Sequence, residues 1–402
     1  MTREEIYQRC EREIDRTKGV LLEAGTGFGK TKCAVGLLNH IALTKGKFNV
    51  LLLVAKKVHK DTWKREFEKW GLNRNIKVTA ECYESLKKHA CETFDIVVLD
   101  EVHHIQSELR LQLLQSLGFE YMIGLSATIP KKLKYYLMQI YKIGLVRCSL
   151  QDAIEDGILP EPEIMLLPLQ LDNTVKCEEI EVNPKGSRGT IYDDYEKLWY
   201  YKKSKLHAIL RCTKKQKLQY MDMQILYTKR AYMVRRTKGL ERRWLKMCGD
   251  RLKYLAECKN DLVKQLLEKL QDKRVLTFCS SIEQTEMLGK NCIHSKNKMA
   301  EKVLNDFNEG RINHITACQI LNEGVNLIGC QCGVFSNINA SDIIKIQRVG
   351  RILRHEHPVV IIPYYENTRE EEIVEEWISA YDEKLVHKYN SLTDLTDAII
   401  NR

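Results

Sequence analysis

Nine short apolar runs, separated by stretches of helical periodicity, constrain this chain more than any other feature. GVLLEAG, NVLLLVA, IKVTA, FDIVVLDE and YMIGLSAT fall between about residues 17 and 148, and RVLTFCSS, HITACQI, CGVFSN and VVIIPYY follow after residue 270. Runs apolar on both faces suit buried parallel strands, and their alternation with helices predicts βαβ units. The expected fold class is therefore α/β, with two parallel-sheet domains in tandem.

The expected boundaries are a first domain over 1–148, a linker and the start of the second over 149–189, an insertion over 190–258 and the remainder over 259–402. ILPEPEIMLLPLQLD, from Ile158 to Asp172, is punctuated by proline and then alternates like a strand; NPKGSRG reads as a loop. From about residue 190 the strand signal gives way to basic, aromatic-bearing sequence, predicting an all-helical insertion. A capping-box pattern at Thr368 and Glu371 opens a predicted packing helix that runs on to Tyr389.

Charge is unevenly spread. Between Lys197 and Lys253 stand eighteen basic residues against Asp222, Glu241 and Asp250, an excess greater than the whole chain's net +10. That concentration predicts a polyanionic partner. The polar N-terminal segment MTREEIYQRCEREIDRTKG reads as neither secretion signal nor transit sequence, and no apolar run approaches the roughly 20 residues of a membrane helix. Fourteen cysteines without such a signal point to a reducing cytoplasm rather than a disulfide framework. Cys330 and Cys332 have no second pair at zinc-like spacing, and His103 and His104 have no partner ligands at helical spacing, so spacing argues against zinc.

The chemistry is concentrated in EAGTGFGKTK. Ala24 to Thr31 fit a P-loop after a strand and before a helix: Gly25, Gly27 and Gly29 let backbone N–H groups surround phosphates, Lys30 reaches the terminal phosphates, and Thr31 can ligate Mg²⁺. DIVVLDEVHH then ends a hydrophobic run in Asp100, suited to holding Mg²⁺, and Glu101, suited to polarising an attacking water.

In order along the chain, Ala24-Gly25-Thr26-Gly27-Phe28-Gly29-Lys30-Thr31, Asp100-Glu101-Val102-His103 and Ser126-Ala127-Thr128 resemble motifs I, II and III of superfamily 2 helicases and translocases. Tyr83-Glu84-Ser85-Leu86 resembles the motif Ib region, Thr277-Phe278-Cys279-Ser280 motif IV, Asn322-Glu323-Gly324-Val325-Asn326 motif V, and Gln347 to Arg354 motif VI. The match spans about 1–170 and 260–365; the DExH form, EGVN and QRVGRILR resemble phage and bacterial DNA-repair or branch-migration helicases and remodeller-like translocases. The resemblance implies two RecA-like domains with ATP and Mg²⁺ between them. It implies coupling through His103, Ser126, Thr128 and Arg348, nucleotide contacts near Gly324 and Asn326, a catalytic network including Gln347, and arginine fingers at Arg351 and Arg354. Gln8 is the expected adenine contact. Where the family carries a motif Ia proline, this chain has Ala55-Lys56-Lys57. Trp63, Phe67 and Trp70 follow at helical spacing and read as core.

Nucleic-acid contacts are expected along the strand ends, at Lys56, Lys57, Ser85, Ser280 and Ser281, without sequence readout. A second set lies in the insertion, at Arg235, Arg236, Arg242 and Arg243, with Tyr227, Tyr232 and Trp244 interleaved as base-stacking groups or as the insertion's own core. The expected function is an ATP-dependent nucleic-acid motor, DNA favoured over RNA, acting as a monomer or in a transient assembly in a bacterial or phage-infected cytoplasm. An ATP-switched nucleic-acid clamp without unwinding, and the motor subunit of a nuclease or restriction complex, stand as alternatives. Arginines 348, 351 and 354 are expected on one helical stripe facing ATP.

Overall fold

The computed structural model describes residues 2–182, 197–202, 205–318, 327–339, 341, 348–353, 355–379 and 381–401. In the first domain, strands β1 (Gly19–Ala24), β2 (Phe48–Val54), β3 (Ile76–Cys82), β4 (Ile96–Asp100), β5 (Tyr121–Ser126) and β6 (Gly144–Cys148) form one sheet in the order β3-β2-β4-β5-β1-β6. Every pairing is parallel. Their continuous Val, Ile and Leu runs are buried because helices α1 (Arg3–Thr17), α2 (Lys30–Lys45), α3 (Lys57–Trp70), α4 (Glu108–Ser116), α5 (Lys131–Tyr141) and α6 (Leu150–Glu155) clothe the sheet. Parallel strands bring their carboxyl ends to one edge, where the loops after β1, β2, β4 and β5 meet.

The second sheet begins with β7 (Glu163–Leu169), the alternating run after the prolines, which pairs with Val359–Tyr365 although nearly two hundred residues separate them. With β11 (Val275–Phe278), β12 (Cys292–Ile293), β13 (His314–Ala317), β14 (Cys332–Phe335), β15 (Val359–Tyr365) and β16 (Val386–Lys388), the order is β12-β13-β11-β14-β15-β7-β16, again parallel throughout. The two α/β sheets are the expected tandem RecA-like architecture.

Two elements depart from expectation. The insertion is not all helical: β8 (Glu178–Val182), β9 (Lys197–Lys202) and β10 (Lys205–Cys212) form a separate antiparallel sheet in the order β8-β10-β9. LWYYK and KLHAILRC carry aromatic and β-branched residues suited to strands, a signal outweighed in the sequence by their lysines. The helix expected to reach Tyr389 stops at Ile378, and Val386–Lys388 instead extends the sheet beside β7. Val386 and its neighbours thus serve sheet pairing rather than a helical face.

Beyond the small sheet, α7 (Lys214–Arg235) and α8 (Lys238–Cys258) form an antiparallel hairpin. Thr213 caps α7 in a capping box with Gln216, and Thr237 accepts from Leu240 N at the start of α8. Leu218, Tyr254 and Leu255 pack with Leu171 and Tyr365 at its root. No residue from 229 to 249 is buried, since two helices alone cannot enclose a core there. Helix α9 (Asn260–Lys269) follows α8 across Lys259, and α10 (Ile282–Leu288), α11 (Ala300–Asn308), the short segment α12 (348–352), α13 (Arg369–Ile378) and α14 (Leu392–Ile400) complete the second domain.

Candidate nucleotide site and nucleic-acid surface

The fully buried β1 feeds directly into the P-loop. Gly25 N donates to Cys148 O at 3.1 Å, seating the loop on β6. Gly27 and Gly29 have φ of 92° and 101°, a backbone region costly for any residue with a Cβ. Gly29 begins α2 without a side-chain cap, so the positive end of the helix is presented by backbone alone. Lys30 Nζ donates to Ala24 O at 2.9 Å.

A cavity of about 980 Å³ lies over this loop, lined by Thr26, Gly27, Gly29, Lys30, Thr31, Asp100 and Glu101 from the first domain and by Arg351 from the second. Ala24 and Phe28 are buried beneath it, with Gly25. The Thr31 hydroxyl and Asp100 carboxylate supply hard oxygens on the same cavity as the exposed helix end, a donor set that fits Mg²⁺ with a polyphosphate.

Glu101 leaves β4 with φ 51° and ψ 63°, a left-handed conformation for a non-glycine residue. Its Oε2 lies 3.2 Å from Ser126 Oγ and 3.5 Å from His103 Nδ1. His103 Nδ1 is 3.1 Å from Ser126 Oγ, which also lies 2.9 Å from Thr128 O. The segments after β4 and β5 are therefore joined through polar side chains, bringing His103, Ser126 and Thr128 together around Glu101.

The arginine row divides. Arg351 is 5% exposed and lines the cavity, but Arg348 is buried within the second domain, donating to Asn337 O at 2.7 Å and lying over the Phe278 ring. Burial lowers its pKa to about 10. Arg348 is thus removed from the cleft face: residues three apart on a helix differ by about 60° around its axis, enough to send one inward and its neighbour to the cavity. Between them, Gly350 meets the P-loop; a Cβ there would lie 2.5 Å from Thr26 Cβ and 2.8 Å from Thr26 O. Gln8 is exposed on α1 and does not line the cavity, whereas Arg3 of the same helix does. Gly324, Asn326, Gln347 and Arg354 lie outside the described residues.

Two contributors have signals that sequence reading passed over. Glu23 is the only acid in β1, 5% exposed, and its carboxylate accepts from Ile129 N at 2.8 Å and Lys134 Nζ at 2.6 Å. It ties the strand before the P-loop to the segment after Ser126-Ala127-Thr128. Trp63 is core, as its spacing suggests, yet its indole Nε1 donates to Asp100 Oδ2 at 2.8 Å. Trp70 departs from the core expectation: 36% exposed, it carries the ammonium groups of Lys32 and Lys69 against its ring.

On the expected nucleic-acid face, Lys56 and Lys57 are exposed at the start of α3, and Ser85 is half-buried in a 3-10 turn. Ser281 is withdrawn from that face: it is buried and caps α10 by accepting from Gln284 N. Ser280 Oγ donates to Gln284 Oε1 at 2.9 Å. At the hairpin tip, Arg235, Arg236, Arg242 and Arg243 are all exposed. Tyr232 and Trp244 stack on each other with ring centroids 5.8 Å apart, leaving Tyr227 as the exposed aromatic of the three.

Residues 2–92 match the family described as Type III restriction enzyme, res subunit, and residues 258–356 match the Helicase conserved C-terminal domain. A comparison with curated proteins finds no match. Among solved structures, S. cerevisiae Dbp5 bound to RNA and ADP BeF3 is similar in fold with a TM-score of 0.62 at 10% identity, covering 99% of this chain and 93% of Dbp5. The ATP-dependent Type ISP restriction-modification enzyme LlaBIII bound to DNA has a TM-score of 0.58 at 13% identity; the likeness covers 100% of this chain but 32% of LlaBIII. Family matches in both halves, with a P-loop cavity between two RecA-like sheets, indicate a helicase-type, nucleic-acid-dependent ATPase.

Proposed function

We propose that this protein is a DNA motor, a helicase or double-strand translocase that steps along or remodels DNA as ATP is hydrolysed between its two sheets. The observation that carries the reading is the cavity that collects Lys30, Thr31, Asp100, Glu101 and Arg351 from both domains. Lys30 and the α2 terminus bind the phosphates, Glu101 orients the attacking water, and Arg351 and Arg354 stabilise the charge that develops on the transferred phosphoryl group. Held by Thr31 and Asp100, Mg²⁺ would neutralise phosphate charge. Gly324, Asn326 and Gln347 complete the proposed nucleotide contacts. His103, Ser126 and Thr128 relay the state of the cavity to the domain interface.

DNA is held without sequence readout by Lys56, Lys57, Ser85 and Ser280 at the strand ends and by the basic hairpin tip. Duplex is favoured because the tip projects from the second domain with Arg235, Arg236, Arg242 and Arg243 exposed and nothing buried beneath them. Repair or branch migration in the cytoplasm of a bacterial or phage-infected cell is the setting that this reading supports. The match of residues 2–92 to a restriction subunit favours a second reading, the motor of a restriction or nuclease assembly whose cutting activity resides in a partner. ATPase rates on single-stranded, duplex, forked and four-way DNA, with RNA controls, test the proposal; strand and triplex displacement then separate unwinding from translocation. Greater stimulation by RNA would overturn the DNA assignment, and indifference to every nucleic acid would overturn the motor.

A further inference from the structure

The first domain contains a hydrogen bond whose chemistry exceeds packing. Trp63 lies on the second turn of α3, 2% exposed, with its indole 2.8 Å from the Asp100 carboxylate. Indole has one donor and no acceptor, so this contact orients a single carboxylate oxygen, Oδ2. Tyr83 fixes the same residue from its other side, its hydroxyl donating to Asp100 O at 2.9 Å. The start of α3, less than two turns before Trp63, is exposed: Lys56 and Lys57 open the helix without a side-chain cap or any acid in the first turn. From Lys57 to Trp63 the helix rises only about 9 Å. One rigid element therefore links a basic surface to the carboxylate of the nucleotide cavity.

We infer that Trp63 is a positioning residue that sets the Mg²⁺-binding orientation of Asp100, and that α3 transmits DNA contact at Lys56 and Lys57 to that orientation. The second clause rests on the proposed DNA-motor reading; the first does not. A phosphate backbone drawn against the start of α3 shifts the helix along its axis, and the indole N–H shifts with it. The carboxylate is then turned by a donor buried away from water, where a charge-assisted hydrogen bond is strong. Outer partners of metal ligands typically govern affinity by about 10- to 100-fold.

The test uses the full chain and Trp63→Phe, which removes the donor and keeps an aromatic ring. Binding of a non-hydrolysable ATP analogue is measured by titration calorimetry in Mg²⁺ and in EDTA, without DNA. The Mg²⁺-dependent part of affinity should fall by about 10- to 100-fold, with affinity in EDTA unchanged. Equal Mg²⁺ dependence in the two proteins, with only a lower melting temperature, would reduce Trp63 to a packing residue. Wild-type protein carrying ¹⁵N-indole labels supplies a readout independent of the variant's folding. The Trp63 signal, assigned among the five indole signals by Trp→Phe substitution at Trp70, Trp199, Trp244 and Trp377 in turn, should move on adding Mg²⁺ with the analogue and again on adding duplex DNA. A signal unmoved by Mg²⁺ overturns the positioning role, and one moved by Mg²⁺ but not by DNA overturns transmission through α3. Failure of DNA to stimulate wild-type ATPase would instead count against the motor reading, leaving the calorimetric result to decide the role of Trp63.

Discussion

Glu101 holds a left-handed backbone that costs a residue of its kind about 1–3 kcal/mol, and the contacts around its carboxylate offset that cost by fixing where it points. Glu101→Gln retains the shape but not the charge. It should bind ATP with near-normal affinity while turnover falls by about 10²- to 10⁴-fold, as measured by nucleotide titration beside steady-state ATPase. Arg351→Ala should lower turnover by about 10³-fold or more, the range of an arginine finger, with a much smaller change in DNA affinity by fluorescence anisotropy; the opposite ranking would return Arg351 to the DNA surface. Residue types revealed much of this site, because the P-loop and the Asp100-Glu101 pair are local patterns. The Trp63–Asp100 contact was not legible, since it depends on β2 and β4 being neighbours. Nor does a spacing of three say which arginine faces the core, as the burial of Arg348 demonstrates.

Among the elements, the α7–α8 hairpin is fixed at its root by a buried ion pair. Lys259 Nζ donates to Glu370 Oε1 at 2.7 Å and to Pro363 O at 3.1 Å, while Tyr365 N donates to Glu370 Oε2 at 3.1 Å. Both side chains are fully buried; desolvation lowers the lysine pKa and raises that of the carboxyl, against their mutual attraction. Lys259→Met should therefore destabilise the fold by about 3–5 kcal/mol by stranding Glu370, and adding Glu370→Leu should recover much of it, both read from denaturant melts. At the other end, reversing the charges of Arg235, Arg236, Arg242 and Arg243 should weaken duplex binding and reduce the slope of log affinity against log salt by about 3–4; an unchanged slope would remove the tip from the interface. The hairpin's helices were legible in the basic, aromatic-bearing sequence that replaces the strand signal after about residue 190. The small sheet before them was not, because among the described residues Lys197–Lys202 and Lys205–Cys212 find strand partners only in each other and in β8.

For the whole molecule, Gly350 against Thr26 records how closely the two domains meet. A methyl group there encounters P-loop backbone, so Gly350→Ala should hold the cleft open. Turnover should fall by about a hundredfold, the scale associated with a 1 Å misplacement, and small-angle scattering should reveal less compaction with a non-hydrolysable ATP analogue than in wild type. The tandem architecture was legible because buried parallel strands leave unbroken apolar runs, whereas the closeness of Gly350 to Thr26 arises only when both sheets are assembled. The continuity of α8 with α9 gives that closure a mechanical meaning. The 22-residue α7 makes the projection about 33 Å long at 1.5 Å per residue, and its root is splinted to the second sheet through Lys259. A domain rotation of about 10° would sweep the tip through about 6 Å, nearly two base-pair rises of duplex at about 3.4 Å each. On the proposed reading, the hairpin would convert a closure of ångströms at the phosphates into a tip displacement on the scale of a base-pair rise.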